Sequence, residues 1–276
     1  MQKVLITGHK GFIGKYLLSY LQNKDLYVFT YTEDIRSIHL TDKIYDVIVH
    51  LAAKTSSKDI LENPTECFSV NVSGTQSVLE YCRKAKCKLI FLSTSAVYGS
   101  LNSEKKIPED HPLAPKSIYG LSKKISEELC EYYNQSYQIS ISILRIFNVY
   151  GIGQKPGFIL PDILNSLSSN SPLVLRNPDA VRDFIFIEDV CEAIFKSIEV
   201  KGFSVFNVGS GKGIRILDLV KTIENIFQRK ISVQSEINTI QELSYSVADN
   251  YKISNTLNWK PRISIEDGLK KIQNEK

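Results

Sequence analysis

Tyr119 and Lys123 stand four residues apart in Tyr-Gly-Leu-Ser-Lys, the spacing that sets two side chains on one face of a helix. An ammonium beside a phenol favours the phenolate and lowers its pKa from ~10, so the pair can move a proton at a carbinol or carbonyl oxygen. The spacing alone is not diagnostic, because Tyr20 and Lys24 repeat it. What singles out Tyr119 is Ile90-Phe-Leu-Ser-Thr-Ser-Ala-Val-Tyr-Gly99, an apolar strand ending in three hydroxyl residues. A Ser or Thr there can hydrogen-bond the oxygen on which Tyr119 acts. The same hydroxyls can instead close the strand as a local turn, and the sequence leaves both readings open.

Upstream, Gly8, Gly11 and Gly14 fall three residues apart, between a short apolar strand at Val4 and a helix whose Tyr16, Leu17, Leu18 and Leu21 share a face. Glycines at a strand-to-helix turn let the backbone approach an anion closely and aim the helix N-terminus at it. A dinucleotide pyrophosphate suits this context; a tight turn with no ligand is the plainer alternative. Cofactor choice then turns on the end of the second strand. Thr32 occupies the place where an acidic residue would take the adenosine ribose hydroxyls, and Asp34 comes later. With Lys10 in the turn and Arg36 nearby, the pattern favours NADP(H) over NAD(H), unless both cations are solvated surface charges.

These groups need a sheet to hold them. Tyr27 to Tyr31 reads as a second strand, Asp46 to Ala53 as a third that is apolar on both faces, and residues 71 to 86 as a helix. Lys88 to Ser93 reads as a strand, Tyr119 to Tyr137 as a long helix and Ile139 to Ile146 as a further strand. This alternation predicts an α/β fold with a Rossmann-type, doubly wound parallel sheet and right-handed connections. Beyond Gly151 the rhythm changes. Gly153, Pro156, Gly157 and Pro161 mark loops around a helix near 161 to 169, and Asp183 to Ile187 is a short strand expected to rejoin the first domain. The expected division is an NAD(P)-binding domain over 1–152 plus about 183–205, with a small C-terminal α/β substrate domain over 153–182 and 206–276.

The 276 residues, 43% hydrophobic and 23% charged, suit an ordinary globular protein of this size. A net charge of +4 without runs of like charge tolerates an anionic small ligand and gives no nucleic-acid or membrane footprint. Five cysteines with no C-x-x-C pair read as reduced thiols, and no metal site is expected. No apolar run approaches the ~20 residues of a membrane span, and the first residues enter a strand at once, so a cytoplasmic location is expected.

Nine motifs in sequential order resemble those of the extended short-chain dehydrogenase/reductases of the NAD-dependent epimerase/dehydratase family, which act on nucleotide-activated sugars. They are Gly8-x-x-Gly11-x-x-Gly14, Asp34-Ile35, His50-Leu-Ala-Ala53, Asn71-Val-Ser-Gly-Thr75, Ser93-Thr-Ser-Ala-Val-Tyr-Gly99, Tyr119-x-x-x-Lys123, Arg145-Ile-Phe-Asn-Val-Tyr-Gly151, Arg182-Asp-Phe184 and Asn207-Val-Gly209, spanning Val4 to about Leu269. The resemblance implies that Gly8, Gly11 and Gly14 take the pyrophosphate, with Phe12 and Ile13 supplying helix-start amides. It places Asp34 and Ile35 at the adenine, and Leu51, Ala52 and Ala53 beneath the cofactor. Thr94 aligns with the hydroxyl residue of the reaction, with Ser93 and Ser95 as its neighbours. Tyr119 aligns with the acid/base, and Lys123 with the lysine that also binds the nicotinamide ribose. Asn148 and Arg182, with Thr94 and Ser95, fall where substrate is held, Arg182 on the diphosphate.

Departures from the family pattern narrow the reaction. Ser95-Ala96 stand where the 4,6-dehydratases carry Asp-Glu, which argues against dehydration. Between Gln234 and Asn250 there is no Arg or Lys, so a second diphosphate-binding Arg is not found there. A nucleotide-sugar 4-ketoreductase using NADPH is the favoured expectation, on Lys10, the missing strand-end acid and the short C-terminal part. An NAD-dependent 4-epimerase uses the same residues and stays open, as does a non-catalytic dinucleotide-binding relative. Leu121, Ile125, Leu129, Tyr132 and Tyr133 recur along the Tyr119 helix, where relatives pair into homodimers; facing its own sheet is the alternative.

Overall fold

The computed structural model describes residues 1–38, 44–99, 104–169, 171–235 and 245–275. The first half runs β1 (Gln2–Thr7), α1 (Phe12–Leu21), β2 (Leu26–Tyr31), β3 (Val47–His50), α2 (Ser57–Glu62), α3 (Pro64–Phe68), α4 (Gly74–Ala85), β4 (Lys88–Thr94), α5 (Ile118–Tyr137) and β5 (Ile141–Ile146). The second half runs β6 (Asn148–Tyr150), α6 (Ile159–Ser169), β7 (Leu173–Leu175), β8 (Val181–Phe186), α7 (Ile187–Lys196), β9 (Phe203–Val208), β10 (Gly213–Arg215), α8 (Ile216–Phe227), β11 (Val233–Ser235), β12 (Tyr245–Ser246), α9 (Tyr251–Leu257) and α10 (Ile265–Asn274).

Six strands form one parallel sheet in the order β2-β1-β3-β4-β5-β9. Side chains alternate across a strand, so each strand feeds two cores. Val4, Ile6, Val49, Ile90, Leu92 and Leu144 join α1, α7 and α8 on one face. Leu5, Ile48, Leu89, Phe91 and Ile143 join α4 and α5 on the other. Burial on both faces is why these strands read as unbroken apolar runs. The chain leaves β1 for β2 on one side and crosses to β3 on the other, and ligands of open α/β sheets bind beyond the strand ends at such a reversal.

Two pairings bear on the expected division. The Asp183 strand, β8, pairs with β6, β10 and β12 in a separate small sheet, while α7 directly after it packs on α1 of the main core. Conversely β9, whose Phe206 to Val208 end had been placed in the substrate unit, adds to β5 as the sixth strand of the main sheet. Both pairings are between segments far apart in the chain, which periodicity within a segment cannot reveal. The third strand is also shorter than expected, ending at His50, because Leu51 to Ala53 leave the ladder to form the floor of the site. All five cysteines are free and buried. No helix among the described residues is long and apolar enough to cross a membrane.

Candidate active site

The glycine turn is built by close approach. Gly8 has φ +69°, and a Cβ there would lie 2.6 Å from the Ala52 nitrogen; at Gly14 it would lie 2.5 Å from the Gly8 carbonyl oxygen. Gly11 N–H donates to that same carbonyl at 2.9 Å. Gly11 is the N-cap of α1 and no side chain caps the helix, so its first N–H groups are left for an anion. His9 Nδ1 donates to the Tyr31 carbonyl at 3.1 Å, tying the turn to the end of β2.

Beneath the turn, Thr7 and His50 meet side by side, Thr7 Oγ1 2.8 Å from Nδ1, with Thr75 Oγ1 3.2 Å from Nε2. Ala52 N–H donates to Thr7 Oγ1 at 3.2 Å. Burial, and after it the charge of Lys123, holds His50 down to about 3, a neutral ring that braces two strands. Asn71 lies in a π-helical turn, Ser69–Ser73. It accepts from Lys54 N–H at 2.8 Å and donates to Ser122 Oγ at 2.9 Å. That holds the segment after β3 against α5.

The cleft above these strand ends has a volume of about 760 Å³. Gly8, Lys10, Gly11, Phe12, Ile13, Gly14, Leu51 and Ala53 line one end; Thr94, Ser95, Tyr119, Lys123, Asn148 and Arg182 line the rest. Ala52 lies against Gly8, its N–H donating to Thr7 Oγ1. The sequence reading had not singled out Phe158, Lys155 or Ser246, which also line it. Lys155 sits in the Gly153–Gly157 loop and Phe158 directly after it, where Gly153, Pro156 and Gly157 are the cue to a loop; Ser246 comes from a strand of two residues that carries no pattern.

Tyr119 and Thr94 both line the cleft, and the Thr94 hydroxyl favours the ionised form of the phenol; Thr94 Oγ1 accepts from Ala96 N–H at 3.2 Å. The strand-end hydroxyl thus closes a local turn while it lines the cleft. Ser93 turns the other way and donates to Glu127. The expected acidification of the phenol by Lys123 does not occur in this geometry. Burial pushes Tyr119 well above its ordinary value, against a smaller lowering by the Thr94 hydroxyl. The Lys123 ammonium lies over the Phe91 ring, 4.3 Å from its centroid, and burial pushes it down to about 8.

Asn148 donates to the Asp183 carbonyl at 2.9 Å, and Arg182 donates to the Val181 carbonyl at 3.0 Å. The Asp183 carboxylate itself accepts from Ser210 N–H and Oγ, Gly211 N–H and Ala248 N–H at 2.6–3.1 Å, while burial pushes its pKa up. This fixes β8 against the turn after β9. The stretch at 236–244, where a second diphosphate-binding Arg was sought, lies outside the described residues.

At the β2 end lies Arg36, one of the two cations on which the NADP(H) expectation rests. Arg36 is engaged by carboxylates: its guanidinium forks onto Asp34, with Nε 2.9 Å from Oδ1, and reaches Glu66 at 3.1 Å. Those bonds hold the Asp34 carboxyl down to about 2. Two carboxylates thus surround the one guanidinium. Ile35 is buried against Gly74, so neither it nor Asp34 lines the cleft.

A model of the NAD dependent epimerase/dehydratase family matches residues 4–209. A putative UDP-glucose 4-epimerase of Methanocaldococcus jannaschii is 32% identical over 98% of this chain and 97% of its own. A dTDP-4-dehydro-6-deoxyglucose reductase of Escherichia coli is 30% identical over 98% and 96%. Among solved structures, the UDP-glucuronic acid 4-epimerase of Bacillus cereus, in complex with UDP-glucuronic acid and NAD, superposes with a TM-score of 0.89 at 28% identity, covering 99% of both chains.

Proposed function

Since the chain belongs to the NAD-dependent epimerase/dehydratase family, whose relatives here include both epimerases and a reductase, we propose that it transfers hydride at C4 of a nucleotide-linked hexose. The observation that carries this reading is that Thr94, Tyr119 and Lys123 line one cleft that runs from the glycine turn to Arg182. A bound nicotinamide dinucleotide supplies the hydride acceptor and donor. Thr94 holds the C4 oxygen, Tyr119 takes or returns its proton, and Lys123 supports that exchange by its charge. Asn148 and Arg182 hold the substrate, the guanidinium on its diphosphate.

Of the two reactions, NAD-dependent 4-epimerisation is the one favoured by the β2 corner. Asp34 is ionised and Arg36 is committed to it and to Glu66, an environment that repels a 2′-phosphate. The 4-ketoreductase reading draws on Lys10 in the cleft wall. Purified protein is incubated with UDP-linked hexoses without added cofactor, and separately with 4-keto sugars and NADPH or NADH. Interconversion of C4 epimers with NAD(H) released on denaturation is expected. Reduction without epimerisation would select the ketoreductase, and Tyr119→Phe turning over as fast as the parent would remove the assignment altogether. A homodimer is proposed on the exposed apolar side chains of α5.

A further inference from the structure

Beneath the proposed reacting groups lies a buried polar chain that the reaction itself does not use. Glu127 stands one helical turn beyond Lys123 and two beyond Tyr119, facing the sheet and only 5% exposed. Its carboxylate accepts from Ser93 Oγ, the residue immediately before Thr94, and from Arg145, with Nε at 3.1 Å and Nη2 at 2.7 Å. Ser93 and Arg145 are register partners on β4 and β5. Arg145 Nη1 donates onward to the Tyr98 hydroxyl at 2.9 Å and the Glu109 carbonyl at 2.7 Å. Tyr98 donates to Asn207 Oδ1 at 2.6 Å, at the end of β9.

We infer that Glu127 and Arg145 form a positioning unit that holds Tyr119 in register with Thr94. The inference rests on the hydride-transfer reading above. A buried ion pair is weak support for stability, since apolar residues of similar volume fill such a site as well or better. Apolar packing tolerates small slides of a helix over a sheet, whereas a forked, charge-assisted pair fixes distance and angle together. Here the fork grips α5 one turn from Lys123, β4 next to Thr94, and β5 three residues before Asn148. A shift of α5 would move the Tyr119 hydroxyl relative to Thr94 across the cleft before it disturbed the apolar contacts. Such misplacement costs up to roughly 100-fold in rate.

The test uses Glu127→Gln and the apolar double variant Glu127→Leu/Arg145→Met. The single variant is expected to lose ~10- to 100-fold in kcat, with KM for the nucleotide sugar and Kd for NAD within about two-fold of the parent. The double variant is expected to recover the parent's Tm and to keep the low kcat. A double variant that recovers kcat together with Tm, or a single variant with the parent's kcat, would overturn the proposal. If the parent itself turns over no nucleotide sugar, the hydride-transfer reading fails. The positioning claim is then judged by crystal structures of parent and double variant, in which a displaced Tyr119 hydroxyl relative to Thr94 is expected and an unchanged separation is the contrary result.

Discussion

Tyr119 and Lys123 share a helix face, as their spacing requires, yet in the folded chain each is governed by burial more than by the other. The phenol is raised and the ammonium lowered to about 8. Cys130, Glu127 and Cys67 act on Lys123 in the opposite sense but do not offset its desolvation. If the charged form of Lys123 is the working form, deprotonation removes it as pH rises through 8. The expected outcome is kcat/KM that falls above about pH 8 by roughly ten-fold per unit, with far-ultraviolet circular dichroism unchanged over the same range. Lys123→Arg, which stays charged, should move the fall to higher pH if it retains activity. A flat profile from pH 7 to 10 in the parent would count against the assignment.

At the level of elements, the β1-to-α1 turn works because its backbone sits where no side chain fits. Gly8 combines φ +69° with contact against β3's end, whereas Gly153 has φ +76° with nothing within 4 Å of a Cβ. Gly8→Ala is therefore expected to cost ~1–3 kcal/mol of backbone strain plus displacement of the Leu51 to Ala52 floor, and to weaken dinucleotide binding. Gly153→Ala should cost the strain alone. Urea unfolding and NAD titration of the two variants, side by side, check the difference. The π-helical turn at Ser69–Ser73 serves the same floor from the other side, through Asn71 and the Lys54 backbone.

For the whole molecule, a six-stranded sheet and a small second sheet meet around one cleft, and a long helix lies along the first. On α5, Tyr133 is buried, Ile125 and Leu129 are half-buried, but Leu121 is 41% and Tyr132 59% exposed. The apolar stripe is thus split: part covers the sheet, and part faces outward, where a second copy would bury it. Light scattering of the parent is expected to give twice the chain mass, and Leu121→Glu/Tyr132→Glu to give the monomer. A monomeric parent would leave the outward face without that partner.

The strands through β5, the glycine turn and the shared helix face of Tyr119 and Lys123 follow from the sequence by local rules: apolar runs make buried strands, glycines permit positive φ, and spacing of four sets a shared helix face. Thr94, Asn148 and Arg182 are singled out by the order of the family's motifs, and all three line the cleft; the short helices α2 and α3 carry no comparable signal. Tertiary structure alone decided what pairs with what. It put β9 in the main sheet and β8 in the small one, bound Arg36 to Asp34 and Glu66, and turned Ser93 to Glu127 while Thr94 faced Tyr119. The physical reason is that pairing energies arise between groups distant in the chain. A charge such as Arg36 or a hydroxyl such as Ser93 takes its role from whichever partner the fold brings within hydrogen-bond reach.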